Sequence, residues 1–176
     1  TTIQTTTTVM AASATAGKAN AASTKKVESI SMDSKYSVSN IASIAPKMDS
    51  RVLKAYKKLG FTVTIDPSVN YGGCFNAHSR SIILRFENET IYHELGHFLA
   101  FVAGNVDRSK FTGINRSYAT QNSSEYFAES VLEYVTSPST LKRQRPKTYA
   151  AIVAALNKIT DERIQRVMDI YGPFWS

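Results

Sequence analysis

The sequence predicts an α+β fold, with a small N-terminal sheet followed by a mainly helical C-terminal lobe. Segments in which apolar and polar residues alternate, as in strands, are confined to residues 61–86. From residue 88 onward the apolar residues have mainly helical spacing. Strands that precede a run of helices, rather than alternate with them, are typical of α+β domains. The 176 residues, 43% of them hydrophobic, suffice for one core, so we expect one domain.

The first 42 residues are expected to be a disordered or signal-derived arm that precedes a domain over 43–176. Residues 1–26 are rich in Thr, Ala and Ser and contain no aromatic residue. Such a composition buries too little apolar surface to offset the entropy of ordering. Residues 14–16 (Ala-Thr-Ala) and 19–21 (Ala-Asn-Ala) resemble a signal-peptide cleavage site, so the arm is either the remnant of an export signal or a plain flexible tail.

The elements of the domain are predicted from apolar periodicity and from capping and turn residues. A polar segment over 105–121 separates two of the helices. In chain order we expect a helix over 50–59 capped by Asp49 or Ser50 and ended by Gly60, a strand over 61–65, a turn over 71–73, a strand over 81–86, a helix over 88–103 ended by Gly104, a helix over 123–136 capped by Asn122, and helices over 146–158 and 160–171.

Residues 93–97, His-Glu-Leu-Gly-His, carry the most specific chemical signal of the chain. His93 and His97 are four residues apart and therefore share one face of the predicted helix. Both imidazoles can reach one zinc ion, while Glu94 can reach a water bound to it. This is the HExxH arrangement of zinc peptidases.

A catalytic zinc needs a third protein ligand and leaves its fourth position to water. His78 is the only other histidine; it lies in a turn-like stretch, and we expect it at the surface. Glu125 and Glu129 are better candidates, because they are four apart on the next helix. We expect Glu125 to bind zinc and Glu129 to accept a hydrogen bond from a ligand imidazole. The alternative is two solvated glutamates on an amphipathic helix.

These motifs together resemble a known family. The pentapeptide at 93–97, followed by Glu-Tyr-Phe-Ala-Glu at 125–129, is similar to the catalytic domain of anthrax lethal factor and to the secreted Pro-Pro endopeptidases of clostridia. That family carries a tyrosine seven residues before the first of these glutamates, where this chain has Tyr118. A Pro-Lys-Thr-Tyr segment also recurs, here at 146–149, and the resemblance covers residues 50–158.

The resemblance implies a zincin-like domain that acts as a secreted, extracellular bacterial zinc metalloendopeptidase. Zn²⁺ would be held by His93, His97 and Glu125, and the zinc-bound water would attack the peptide bond. Glu94 would be the general base, and Tyr118 would stabilise the oxyanion. The substrates would be surface or extracellular proteins, cleaved at proline-rich, Pro-Pro sites.

Two structural expectations accompany this hypothesis. The resemblance implies that Gly96 is tolerated within the helix because another element approaches it closely. The strand over residues 82–86 could offer an unpaired edge on which an extended substrate lies as an additional strand.

Several alternatives remain at this stage. One is a toxin-type metalloprotease that cleaves host proteins, and another is a non-catalytic module that binds zinc or peptide. Cys74 and His78 are four apart and could form a thiol nucleophile and base, but no orienting partner is visible, so we expect Cys74 to be a buried, inert thiol.

Charge and hydropathy narrow the range of partners. The net charge is +7, but the densest basic run, residues 142–147, has few aromatic neighbours and matches no nucleic-acid module, so nucleic acid is not the expected partner. No apolar run is long enough to span a membrane. We expect a monomer whose partner is a protein or peptide substrate.

Overall fold

The computed structural model describes residues 34–104 and 122–176, and the structural statements that follow concern these residues. Their fold is α+β, with a four-stranded sheet and a mostly helical C-terminal part. In chain order the elements are β1 Tyr36–Val38, α1 Ile41–Ile44, α2 Ser50–Lys58, β2 Thr62–Ile65, β3 Gly73–Asn76, β4 Ser81–Leu84, α3 Thr90–Ala103, α4 Ser123–Thr136, α5 Pro138–Gln144, α6 Pro146–Asn157 and α7 Asp161–Trp175.

The strands lie in the order β1-β2-β4-β3. β2 and β4 are parallel, while β1 pairs antiparallel with β2 and β3 pairs antiparallel with β4. β4 therefore has a partner on both sides, and the expectation that it offers an unpaired edge is wrong. Of the strands described, β3 forms the edge nearest helix α3.

β1 lies within the stretch that the sequence assigned to the N-terminal arm. Tyr36 pairs with Ile65 and Val38 with Val63, so the sheet begins N-terminal of residue 43. Three residues are too few to show a period, which is why the composition alone did not reveal this strand.

The bounds of helix α2 are determined by a capping residue at its start and a glycine after its end. The Asp49 side chain accepts a hydrogen bond from the backbone N–H of Arg51 and caps the helix. Val52, Ala55 and Tyr56 are buried on one face. Gly60 then takes a φ of 75°, a left-handed conformation that favours glycine, and the chain turns into β2.

Helix α3 is the centre of the fold, since eleven of its fourteen residues are buried. It packs most extensively against α4. A Cβ atom on Gly96 would lie 2.8 Å from the Ala128 Cα and 3.0 Å from the Val131 Cβ. The expectation that another element approaches Gly96 closely is therefore confirmed: that element is the backbone of α4.

The C-terminal helices α6 and α7 also pack against α3 and complete the core. Pro146 opens α6, and the Thr160 side chain caps α7. The Trp175 indole N–H donates to the carbonyl of Ala77 at 3.0 Å, which ties the end of α7 to the turn between β3 and β4.

The sequence prediction missed four short elements, namely β1, α1, β3 and α5. Each has three to seven residues, and none carries enough apolar positions to establish a period. The other elements, over residues 50–58, 62–65, 81–84, 90–103, 123–136, 146–157 and 161–175, match their predictions to within a few residues. Among the described residues, no helix combines the length and apolar character that a membrane span requires.

Candidate metal site

Helix α3 carries two imidazoles and a carboxylate into the interface between the helices and the sheet. His93 is only 5% exposed and Glu94 only 4%. His97 follows one turn later and is partly buried. The ring centroids of His93 and His97 are 5.0 Å apart, as the helical spacing of four residues requires.

Glu125 reaches the same place from the first turn of α4. The Asn122 side chain accepts a hydrogen bond from the Glu125 backbone N–H at 2.9 Å, so this cap sets where α4 begins. Glu125 Oε2 lies 3.0 Å from His93 Nε2, and Glu125 Oε1 lies 3.2 Å from His97 Nε2. Each carboxylate oxygen therefore faces one imidazole.

His93, His97 and Glu125 form the one group of three potential metal ligands found among the described residues, with ligand atoms all within 4.8 Å of one another. Two ligands about 2.1 Å from one tetrahedral zinc lie about 3.4 Å apart. The contacts of 3.0 and 3.2 Å are close to that separation. Two imidazoles and one carboxylate are also a donor set that zinc accepts while keeping a position open.

Glu129 lies behind His93, one helical turn beyond Glu125. The Glu129 Oε2 atom is 2.9 Å from His93 Nδ1, and Glu129 is 9% exposed. This contact orients the ring so that Nε2 faces Glu125. Burial lowers the pKa of His93, but the hydrogen bond to Glu129 and the neighbouring carboxylates outweigh burial, and the net shift is upward.

Glu94 lies beside the group without belonging to it. Burial is the largest cause that raises the pKa of its carboxyl group to about 7, and the charge of Glu125 adds to it, whereas His93 and the Phe75 backbone act in the opposite direction. A divalent cation bound nearby would lower this pKa, because positive charge favours the carboxylate.

Two further residues contact the site, although the sequence analysis did not assign them to it. The Phe75 ring, on β3, stacks on the His97 ring with centroids 6.4 Å apart and planes 13° from parallel. The Ser124 hydroxyl lies 3.4 Å from His97 Nδ1. Ser124 could have been found from the sequence, because it directly precedes Glu125. Phe75 could not, because β3 was too short to be predicted.

The remaining candidates are placed as follows. His78 lies in an exposed turn, as expected, and is not part of the group. Cys74 is exposed, so the expectation of a buried thiol is wrong. Partial burial and then the charge of Glu94 raise the pKa of Cys74, which is opposite to what a thiolate nucleophile needs. Tyr118 lies outside the described residues.

No protein-family model, no curated protein and no solved structure shows significant similarity to this chain. The resemblance to the lethal factor and Pro-Pro endopeptidase family therefore depends on the sequence motifs alone.

Proposed function

We propose that this protein is a zinc-dependent endopeptidase. The observation that carries the proposal is the convergence of His93, His97 and Glu125 from two helices, with a buried glutamate next to them in the sequence. A solvated helix face would leave these groups apart and exposed. Burying several ionisable groups together costs free energy, and such an arrangement is typical of functional sites.

The proposed roles follow from the positions of the side chains. His93 Nε2, His97 and Glu125 would hold the zinc ion, with Glu129 keeping the His93 ring in position. A bound zinc ion would supply the Lewis acidity that activates water and polarises the scissile carbonyl. Glu94 would take the proton of the attacking water and pass it to the leaving amine.

Tyr118 keeps the role that the resemblance implies. Its hydroxyl would donate a hydrogen bond to the oxyanion of the tetrahedral intermediate. A Tyr118→Phe variant that cleaves as fast as the unchanged protein would remove this residue from the mechanism.

The substrate would lie along β3 rather than β4. Arg85 donates its backbone N–H to Gly72 O at 3.0 Å, which sets the hydrogen-bonding alternation of the β3–β4 pair. In that alternation the backbone groups of Gly73 and Phe75 point away from β4. An extended peptide could form hydrogen bonds with these backbone groups and so add a strand to the sheet.

The finer features of the proposal come from the resemblance. These are a secreted bacterial location, protein or peptide substrates, and cleavage within proline-rich, Pro-Pro sequences. A toxin-type protease that acts on host proteins would have the same site. Only a measured cleavage specificity can therefore distinguish a Pro-Pro endopeptidase from such a toxin.

A cleavage assay with matched variants tests the proposal. The full chain is incubated with a peptide library that includes Pro-Pro sequences, with and without a chelator, and its zinc content is measured. We expect one zinc per chain, cleavage that stops on chelation, and a loss of at least about 100-fold in the Glu94→Gln variant.

Glu89→Gln is the control, because Glu89 is exposed just before α3 and its side chain makes no capping hydrogen bond. This variant should cleave normally. A zinc-loaded protein that cleaves no peptide would support the non-catalytic zinc- or peptide-binding module instead. Robust cleavage by Glu94→Gln would falsify the role of the general base.

A further inference from the structure

The backbone of β3 lies directly against the side chain of Glu94. A Cβ atom built on Gly73 would be 2.7 Å from Glu94 Oε1 and 2.9 Å from Glu94 Cγ. It would also be 2.9 Å from the Thr90 Cγ2 methyl group. These separations are shorter than van der Waals contact, so any side chain at this position would force neighbouring groups to move.

Glycine is required at position 73 for space and not for backbone conformation. The glycines with positive φ among the described residues are Gly60 and Gly104, and Gly73 is not one of them. The adjacent Gly72 differs from Gly73, because a Cβ there would meet only Thr90 Cγ2, at an ordinary 3.9 Å. Two consecutive glycines therefore have different reasons to be present.

A second residue of the same strand, Phe75, turns its backbone groups the same way as Gly73. Gly73 and Phe75 are two apart on β3, so both turn their outward-facing backbone groups toward the same side. The strand thus leaves room for the carboxylate at Gly73, on the side to which the backbone of Phe75 also turns.

We propose that Gly73 is a positioning residue for Glu94: its lack of a side chain lets the carboxylate lie against the backbone of β3. The catalytic part of this inference rests on the proposed function, in which Glu94 is the general base. The packing part does not, since it concerns contacts within the protein.

The first experiment compares Gly73→Ala with Gly72→Ala in the full chain. Because a displacement of about 1 Å at a reacting group can cost about 100-fold, we expect Gly73→Ala to lower kcat by about 10- to 100-fold. KM and zinc content should stay within about twofold, since neither the β3 edge nor the ligands are removed. Gly72→Ala should leave all three quantities unchanged.

A raised KM with an unchanged kcat would overturn the inference, because it would indicate a role in binding substrate. A Gly73→Ala protein without zinc would also overturn it, since the disturbance would then extend to the ligands.

A double variant keeps the test valid if Gly73→Ala folds poorly. Thr90→Ser removes the Cγ2 methyl group, so that of the three nearest contacts of Ala at position 73 only the two with Glu94 would remain. The Gly73→Ala/Thr90→Ser protein should fold and still show the lowered kcat, while Thr90→Ser alone should be fully active. Full activity of the double variant would contradict the inference.

A stability cycle separates failure of this inference from failure of the proposed function. Tm is measured in chelator for the unchanged chain, Gly73→Ala, Glu94→Ala and the double variant. We expect Gly73→Ala to lower Tm less when Glu94 has been truncated, because two of the three close contacts involve Glu94. Equal falls in Tm in both backgrounds would disprove the packing, whether or not the protein is a peptidase.

Discussion

Charged side chains are buried where α3 meets α4 but remain exposed where α2 meets α7. His93 and Glu129, which pair with each other in the first region, are 5% and 9% exposed. In the second, Lys54 lies 3.0 Å from Asp161, and their side chains are 54% and 69% exposed. Both regions place carboxylates beside basic side chains, but only in the first are these groups largely buried.

The contrast concerns the free energy of burying charged groups. Exposed ion pairs contribute little, because water already solvates both partners. Buried carboxylates and imidazoles are costly unless they pair with one another or with a metal ion. The charges between α3 and α4 are therefore retained at a cost to folding, as expected of a site whose groups must be held in fixed positions.

The largest effect is expected from removing the carboxylate that joins the two helices at the site. Glu125→Ala takes away one of three ligand groups, so the purified protein should no longer retain zinc and should not cleave peptide. Asp161→Ala is the control from the exposed region and should keep both properties. Stoichiometric zinc in Glu125→Ala, measured by atomic absorption, would remove Glu125 from the ligand set.

A smaller effect is expected at Glu129, which orients His93 without belonging to the ligand group. Replacing the charged acceptor with an amide in Glu129→Gln should raise the Kd for zinc about 10- to 100-fold. The measurement is a competition titration against a chelator of known affinity. An unchanged Kd would show that the Glu129–His93 contact has no part in metal binding.

The close approach of α3 to α4 can be tested with two glycines that sit in helices. Gly96→Ala would place a Cβ atom 2.8 Å from the Ala128 Cα, and we expect it to destabilise the fold by about 0.5–2 kcal/mol after the gain in helix propensity. Tm should fall by about 2–6 °C.

Gly172→Ala in α7 is the matched control with the opposite expected sign. Its Cβ would meet the Met168 Sδ at 3.5 Å, an ordinary contact, so the gain in helix propensity should raise Tm slightly. A rise in Tm for both variants would show that the helices α3 and α4 separate easily at Gly96.

The smallest effect is expected at the exposed ion pairs of Asp161 with Lys54 and Lys58. Asp161→Asn should lower Tm by less than Gly96→Ala does, and the difference from the unchanged chain should shrink in high salt.

The pH dependence of this difference has a definite sign. The hydrogen bond to Lys54 and the two lysine charges lower the pKa of Asp161 in the folded protein. Its stabilising effect is therefore present above the pKa of the unfolded chain, about 4, and is lost as the pH falls through the lower folded value. Thermal melts of both proteins should converge below about pH 4. A Tm difference that grows on acidification would contradict this assignment.

The helices of the site could be predicted because their signals are local. The Asn122 cap and the Gly104 terminus determine where α4 begins and α3 ends, and both lie at the expected residues. The strands at the edges of the sheet could not be predicted. β1 and β3 have three and four residues, and each exists because a neighbouring strand satisfies its backbone groups.

The sequence by itself determined that two imidazoles share one helical face and two carboxylates share another, since the helical period is a property of the chain within one turn. Only the tertiary structure decided that these faces meet. His93 contacts Glu125 and Glu129 across 32 and 36 residues of sequence, and that encounter depends on Gly96 letting α4 approach α3. The edge strand was decided in the same way. Gly73 and Phe75 touch Glu94 and His97 because β3 pairs with β4, and a pairing partner is chosen by the packing of the whole sheet.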